Sequence, residues 1–199
     1  MRKVSLDEIK ALAEQSRERV WELAKNNGRE PKIYLHWSAG HYGQFFDGYH
    51  ISIDADGSYY VSTNDFAEVL SHTYKRNSGS LGISLACCVG ATSNNLGSEP
   101  PTAEQIEAMA KCIDIVATAW WLTIDKKHIM THGEAADNMD GLYCHEPYGI
   151  NHGCERWDLQ YLGTEESPCF VYDYNNSGTG GNVLRGKANW YRNKREGKI

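Results

Sequence analysis

An α/β fold, with a mixed central β-sheet flanked by α-helices, follows from three features of this 199-residue chain. Short segments of strand character alternate with segments of helix character, the arrangement in which helices cover a sheet. One pair of neighbouring strands is joined by a tight turn and must run antiparallel, so the sheet is mixed. The chain is also 41% hydrophobic, with six Trp and twelve Tyr, which supplies a sizeable core and excludes a disordered chain.

The first element is a helix. Ser5 and Glu8 have the spacing of a capping box, and Leu6, Ile9, Leu12, Val20 and Leu23 keep a rough helical period until Gly28, a glycine suited to a helix stop. In the next stretch, KIYLHWSAG, Ile33, Tyr34 and Leu35 read as a buried strand that Trp37 extends, with His36 at its far end. HYGQFFDG is a polar, glycine-bearing loop. YHISIDADGSYYVS holds two short strands around Asp56 and Gly57, a strong hairpin signal. GISLACCVG reads as a continuous, buried central strand.

After the loop ATSNNLGSEPP, Thr102 and Gln105 form a second capping box. Ile106, Met109, Ile113, Val116 and Trp120 then recur at helical spacing, so a helix is expected from Thr102 to about Leu122, with Trp120 and Trp121 on its core side. KHIMTH is a short strand closed by His132. The chain is loop-rich from there to RWDLQYLG. NNSGTGG reads as a flexible joint before a basic tail, which divides the chain into residues 1–176, one domain with its N-terminal helix, and residues 177–199, joint and tail.

A net charge of −6 gives no general reason to expect nucleic-acid binding, but the charge is uneven: Arg185 to Ile199 carries +5 and the rest −11. The default reading of such an end is a solvated terminal helix or a frayed one. MRKVSLDEIKALAEQ starts with basic residues, yet acids interrupt the apolar run that a signal peptide needs. The best apolar stretch, IDIVATAWWLTI, is too short for a bilayer and contains Asp114. A protein made in the cytoplasm without an export signal or a membrane segment is therefore expected. Of the six cysteines, Cys144 and Cys154 flank a loop and would pair only in an oxidising compartment, while Cys112 reads as a small core residue. Cys87 and Cys88 alternate faces of a strand, so at least one is expected to be buried and inert.

Ligands in such folds collect where strand ends and loops converge. His36 and His132 both close strands, and Asp158 lies in CERWDLQ beyond a long loop. Two imidazoles and a carboxylate suit a catalytic zinc site, which takes three protein ligands and keeps a fourth position open. His50 follows Tyr49 and points to the opposite strand face, so it reads as structural. His128 and His132 are four apart, but KKHIMTH lacks the glutamate of the helical zinc motif and is read as a strand.

The segments YLHWSAG, GYHISIDADGSYYV, LSHTYKRNSGSLGISLAC, PPTAEQIEAMAKCI and IMTHGE come in one order and spacing. From about Ile33 to Leu162 the chain resembles the zinc-dependent N-acetylmuramoyl-L-alanine amidases of bacteria and phages, the type 2 family that shares its fold with the peptidoglycan recognition proteins. The resemblance implies a Zn2+ cofactor and a peptidoglycan substrate cut between N-acetylmuramic acid and L-alanine. It further implies His36, His132 and Asp158 as metal ligands, Tyr49 and Arg156 as catalytic residues, and His72 as a substrate contact. Arg156 stands two positions before Asp158, the offset at which the family places a basic or hydroxyl residue.

Several departures keep alternatives open. Between His132 and Asp158 lie 25 residues that include His145, His152 and Cys154, each a rival third ligand, and some family members use a thiolate there. Leu159 and Gln160 replace the glycine and proline turn common after the ligand, and Ser84 stands where some members carry a catalytic glutamate. The implied enzyme is of phage or prophage lysin type and acts on the cell wall after release; a secretion-system effector or a recycling enzyme would read the same. A non-catalytic peptidoglycan-binding module and a zinc peptidase of the stem peptide remain rival readings. For the tail, a second reading is attachment to anionic wall polymers, with Trp190 and Tyr191 stacking. The oligomeric state is not legible.

Overall fold

In the computed structural model, residues 1–142, 149–151 and 156–199 are described. They form β1 (Arg2–Val4), α1 (Leu6–Asn26), β2 (Lys32–Trp37), β3 (Ile51–Ile53), β4 (Tyr59–Val61), β5 (Ser80–Leu85), α2 (Ala103–Ala119), β6 (Ile129–Thr131), α3 (His132–Ala136) and α4 (Gly180–Arg195). The strands make one six-stranded sheet in the order β1-β4-β3-β5-β2-β6. β2 runs parallel to both β5 and β6, and β3 parallel to β5, while β4 is antiparallel to β1 and β3. The sheet is mixed and flanked by helices, as the sequence predicts.

Strand side chains alternate between faces, and here the two faces differ in chemistry. Ile33, Leu35 and Trp37 of β2, Ile51 and Ile53 of β3, and Leu81, Ile83 and Leu85 of β5 join one core with Ile9 and Val20 of α1 and Ile106, Met109, Ile113 and Val116 of α2. The other positions of the same strands are Lys32, Tyr34 and His36, Ser52, and Ser80, Gly82 and Ser84. β5 is thus a central strand with an apolar face and a small, polar one, rather than the uniformly apolar run expected of it. α3 covers part of the polar face, where Tyr34, Met130 and Ala135 form a second small cluster. The remainder of that face is where the histidines gather.

Both expected capping boxes are present, Ser5 with Glu8 on α1 and Thr102 with Gln105 on α2. α2 stops at Ala119 with Trp120 as its cap, earlier than the expected Leu122. Trp121 then takes φ 60°, a left-handed turn that throws its ring outward, 73% exposed, beneath the Arg17 guanidinium 4.0 Å from the ring centroid. Only Trp120 is core. β1 was not legible, since three residues with two cations show no strand pattern. Cys87, Cys88 and Cys112 are all buried.

Residues 177–199 differ most from expectation. Thr179 caps α4, and this helix packs along α2 instead of forming a free tail. Its cations meet acids of the body: Arg185 with Glu134, Lys187 with Glu107, and Arg192 and Arg195 with Asp114. A basic segment joined to an acidic body reads as a tail by charge alone, whereas here opposite charges bring the two together. No helix among the described residues is long and apolar enough to cross a membrane.

Candidate metal centre

Three elements bring the expected ligands to one point at the C-terminal end of β2. His36 lies on the polar face of β2, opposite Ser84 of β5 in the parallel register, and is fully buried. His132 does not close β6 but opens α3. Thr131 caps that short helix, accepting from the Glu134 N–H at 3.1 Å, while Glu134 Oε2 accepts from the Thr131 N–H at 2.9 Å. Asp158 sits on a turn whose next residue, Leu159, has φ 59°, a left-handed conformation uncommon outside glycine. Gly133 lets the last two segments meet: a Cβ there would lie 3.2 Å from the Trp157 Cα.

The three donor atoms form a nearly equilateral triangle. His36 Nδ1 lies 3.1 Å from His132 Nδ1 and 3.4 Å from Asp158 Oδ2, and His132 Nδ1 lies 3.5 Å from that same oxygen. Ligands around a tetrahedral zinc-type ion, with bonds of about 2.0–2.2 Å, stand roughly 3.3–3.5 Å apart. The donor set and its spacing therefore fit a divalent metal. Among the described residues, this is the group of three His, Cys, Asp or Glu side chains close enough to hold an ion. The His132 and Asp158 side chains keep 14% and 12% of their exposure and His36 none, so the site is closed behind and open in front.

Electrostatics agree with that donor role. Burial pushes His36 down to about 4, against the pull of Asp158, so its imidazole is neutral at pH 7 with a lone pair on offer. Burial by itself would raise the Asp158 carboxyl, but His132 and His36 outweigh it and hold the group well below the usual carboxylate range. Behind the site, the Thr73 hydroxyl lies 3.4 Å from His36 Nε2 and 3.0 Å from His72 Nδ1, and so links the two rings.

In front lies a cleft of about 380 Å³, lined in part by Tyr49, Ser71, His72, Arg156 and Trp157. The Tyr49 ring stands 5.0 Å from that of His36, with Ser84 near its hydroxyl. Burial and then the Asp158 charge push this phenol up to about 12. Arg156 is exposed at the cleft edge. His72, expected to touch substrate, is only 7% exposed and packs over Gly82, where a Cβ would come within 2.7 Å of its ring. His50 is structural: its Nε2 lies 2.8 Å from the Glu68 carbonyl and its Nδ1 accepts from the Gly82 N–H at 3.1 Å. The rival ligands His145, His152 and Cys154, and with them the Cys144–Cys154 pairing, lie outside the described residues.

A sequence-family model described as N-acetylmuramoyl-L-alanine amidase matches residues 13–146, well over half of the chain. The chain belongs to this amidase family. Curated proteins give no match. Among solved structures it is similar to the Ph2119 endolysin of a Thermus scotoductus bacteriophage, at 19% identity and TM-score 0.42 over 62% of this chain and 80% of that one. It is also similar to the endolysin amidase LysCS from Clostridium intestinale, at 17% identity and TM-score 0.39 over 53% of this chain and 70% of that one. A third is Drosophila PGRP-LB, at 18% identity and TM-score 0.39 over 53% and 70%.

The amidase match contains His36, Tyr49, His72 and His132 and ends before Arg156 and Asp158. Sequence reasoning missed Thr73 and the role of Gly82. A signal for Gly82 was present in the alternation of small and large residues in SLGISL, which marks a strand face with room for a buried ring, whereas Thr73 had none.

Proposed function

We propose that the protein is a zinc-dependent N-acetylmuramoyl-L-alanine amidase that cuts bacterial peptidoglycan. The bond cleaved is the amide joining the lactyl group of N-acetylmuramic acid to L-alanine. The observation that carries this reading is the triangle of His36, His132 and Asp158 donors, 3.1 to 3.5 Å apart, at the floor of a cleft in a chain of the amidase family. Bound there, zinc would supply Lewis acidity and a water whose pKa falls to about 7.

The chain's own residues account for the rest. Neutral His36 offers a nitrogen lone pair, His132 a second ring nitrogen, and ionised Asp158 brings the one negative charge of the donor set. Tyr49 keeps its phenolic proton at neutral pH, because burial holds its pKa far above that range. It is a hydrogen-bond donor beside the reacting carbonyl and a route for the proton to the leaving amine. Arg156 supplies a fixed cation for the charge that builds on the carbonyl oxygen. With Ser84 in place of a strand carboxylate, proton handling falls to Tyr49. His72 lines the floor of the cleft, and its small open part faces the substrate. Such an enzyme acts on the wall after release, as a phage or prophage lysin does, and is antimicrobial in that sense.

The test is digestion of purified sacculi by zinc-loaded and chelated protein, with mass spectrometry of the new ends. The reading expects free lactyl-muramic acid and free L-alanine amines, lost on chelation. New ends inside the stem peptide would instead make the protein a peptidase, and binding without cleavage would make it a recognition module.

A further inference from the structure

We propose that helix α4 positions the metal centre, with Arg185, Gly180 and Gly181 holding the two segments that present His132 and Asp158. The inference rests on the metal-site reading above and assigns a role to a helix that lies beyond the family match.

Two sets of contacts carry it. The first fixes α3. Arg185 is 5% exposed and forms a two-pronged pair with Glu134, Nη2 to Oε1 at 2.8 Å and Nη1 to Oε2 at 2.9 Å, while Nη1 also donates to the Ile129 carbonyl at 2.8 Å. Glu134 Oε2 in turn holds the Thr131 N–H, the cap residue immediately before His132. A planar guanidinium gripping a carboxylate in two places sets orientation as well as position. Gly181 makes the approach feasible, since a Cβ there would sit 2.9 Å from Glu134 Oε1 and 3.1 Å from Arg185 Nη2.

The second set fixes the Asp158 turn. The Gly180 N–H donates to the Gln160 carbonyl at 3.1 Å, and a Cβ on Gly180 would lie 2.0 Å from the Leu159 carbonyl oxygen. Any side chain at position 180 would therefore push the helix away from the left-handed residue that follows Asp158. One helix N-terminus thus touches both segments at once. The GTGG segment, which reads from sequence as a flexible joint, supplies the two glycines that permit the contact. Partners that orient metal ligands in this way typically change metal affinity by about 10- to 100-fold when altered.

The test measures zinc dissociation constants of full-length wild type, Arg185→Lys, Gly181→Ala and the charge-free double variant Glu134→Gln with Arg185→Met. Competition with a chromogenic chelator gives the constants, and circular dichroism of the chelated proteins separates loss of fold from loss of site. Arg195→Ala serves as control, because it loosens the far end of α4 at Asp114. The expected result is zinc binding weakened about 10- to 100-fold in the Arg185 and Gly181 variants that stay folded, an altered visible spectrum with cobalt(II) in the site, and wild-type affinity in the control. Variants that lose only melting temperature and bind zinc as wild type does would overturn the proposal and leave the amidase reading standing. A wild type that bound no zinc, or bound it equally well after His36→Ala, would overturn both.

Discussion

Burial first, and the Asp158 carboxylate second, keep the proton on Tyr49, against a smaller opposing pull from Ser84. With its pKa pushed up to about 12, it stays protonated at neutral pH, as the proposed role in proton transfer requires. Tyr49→Phe is therefore expected to lower turnover of sacculi about 100-fold with zinc stoichiometry unchanged, checked by amine release alongside metal analysis. A variant as active as wild type would remove Tyr49 from the mechanism. His50 makes a different prediction, because it plays no part in the chemistry. Burial drives its imidazole down to about 4, whereas the unfolded chain takes up that proton near 6.5. As pH falls through this interval the unfolded state binds the extra proton first, so stability is full above about 6.5 and drains away toward 4, by up to roughly 3 kcal/mol. His36 adds in the same direction once the metal is removed. Urea midpoints of chelated protein should fall between pH 7.5 and 4.5, and His50→Gln, which cannot charge, should show a shallower fall.

Elements differ in how plainly the sequence announces them, and the difference has physical causes. α1 and α2 were legible because each carries a local start signal, a capping box, ahead of a periodic apolar face. The β3–β4 hairpin was legible from a turn that only a few residues can make, with Gly57 at φ 79°. The docking of α4 was not legible, for the opposite reason. Its anchors are long-range pairs, Arg185 with Glu134 and Arg195 with Asp114, and no local pattern distinguishes a cation that will meet a distant acid from one that faces water. The site shows the same contrast. His36 and His132 sit in motifs readable over a few residues, while Asp158 is separated from His132 by 25 residues and depends on a backbone turn at Leu159 that sequence does not reveal. Thr73 and Gly82 acquire meaning only when β5 lies beside β2 and brings the ring of His72 against the back of His36.

At the scale of the whole molecule, the three donors belong to segments far apart in the chain: a buried strand, a five-residue helix and a loop turn. An ion bound to all three has a complete site in the folded chain alone, since His36 and Asp158 are 122 positions apart when the chain is unfolded. Metal binding must then appear as folding stability. With free zinc at a thousand times its dissociation constant, the gain is about 4 kcal/mol. For a chain of this size each kcal/mol moves the melting temperature by about 2–4 °C, so removing the metal should lower it by on the order of 10 °C. Thermal scans with zinc and with excess chelator measure this directly, and His36→Ala supplies the necessary comparison. That variant should melt at the same temperature under both conditions, because its site has lost the donor that closes it from behind. If wild type and His36→Ala respond alike to chelator, the stabilising metal sits elsewhere, and the triangle at the end of β2 is a hydrogen-bonded cluster instead of a metal centre.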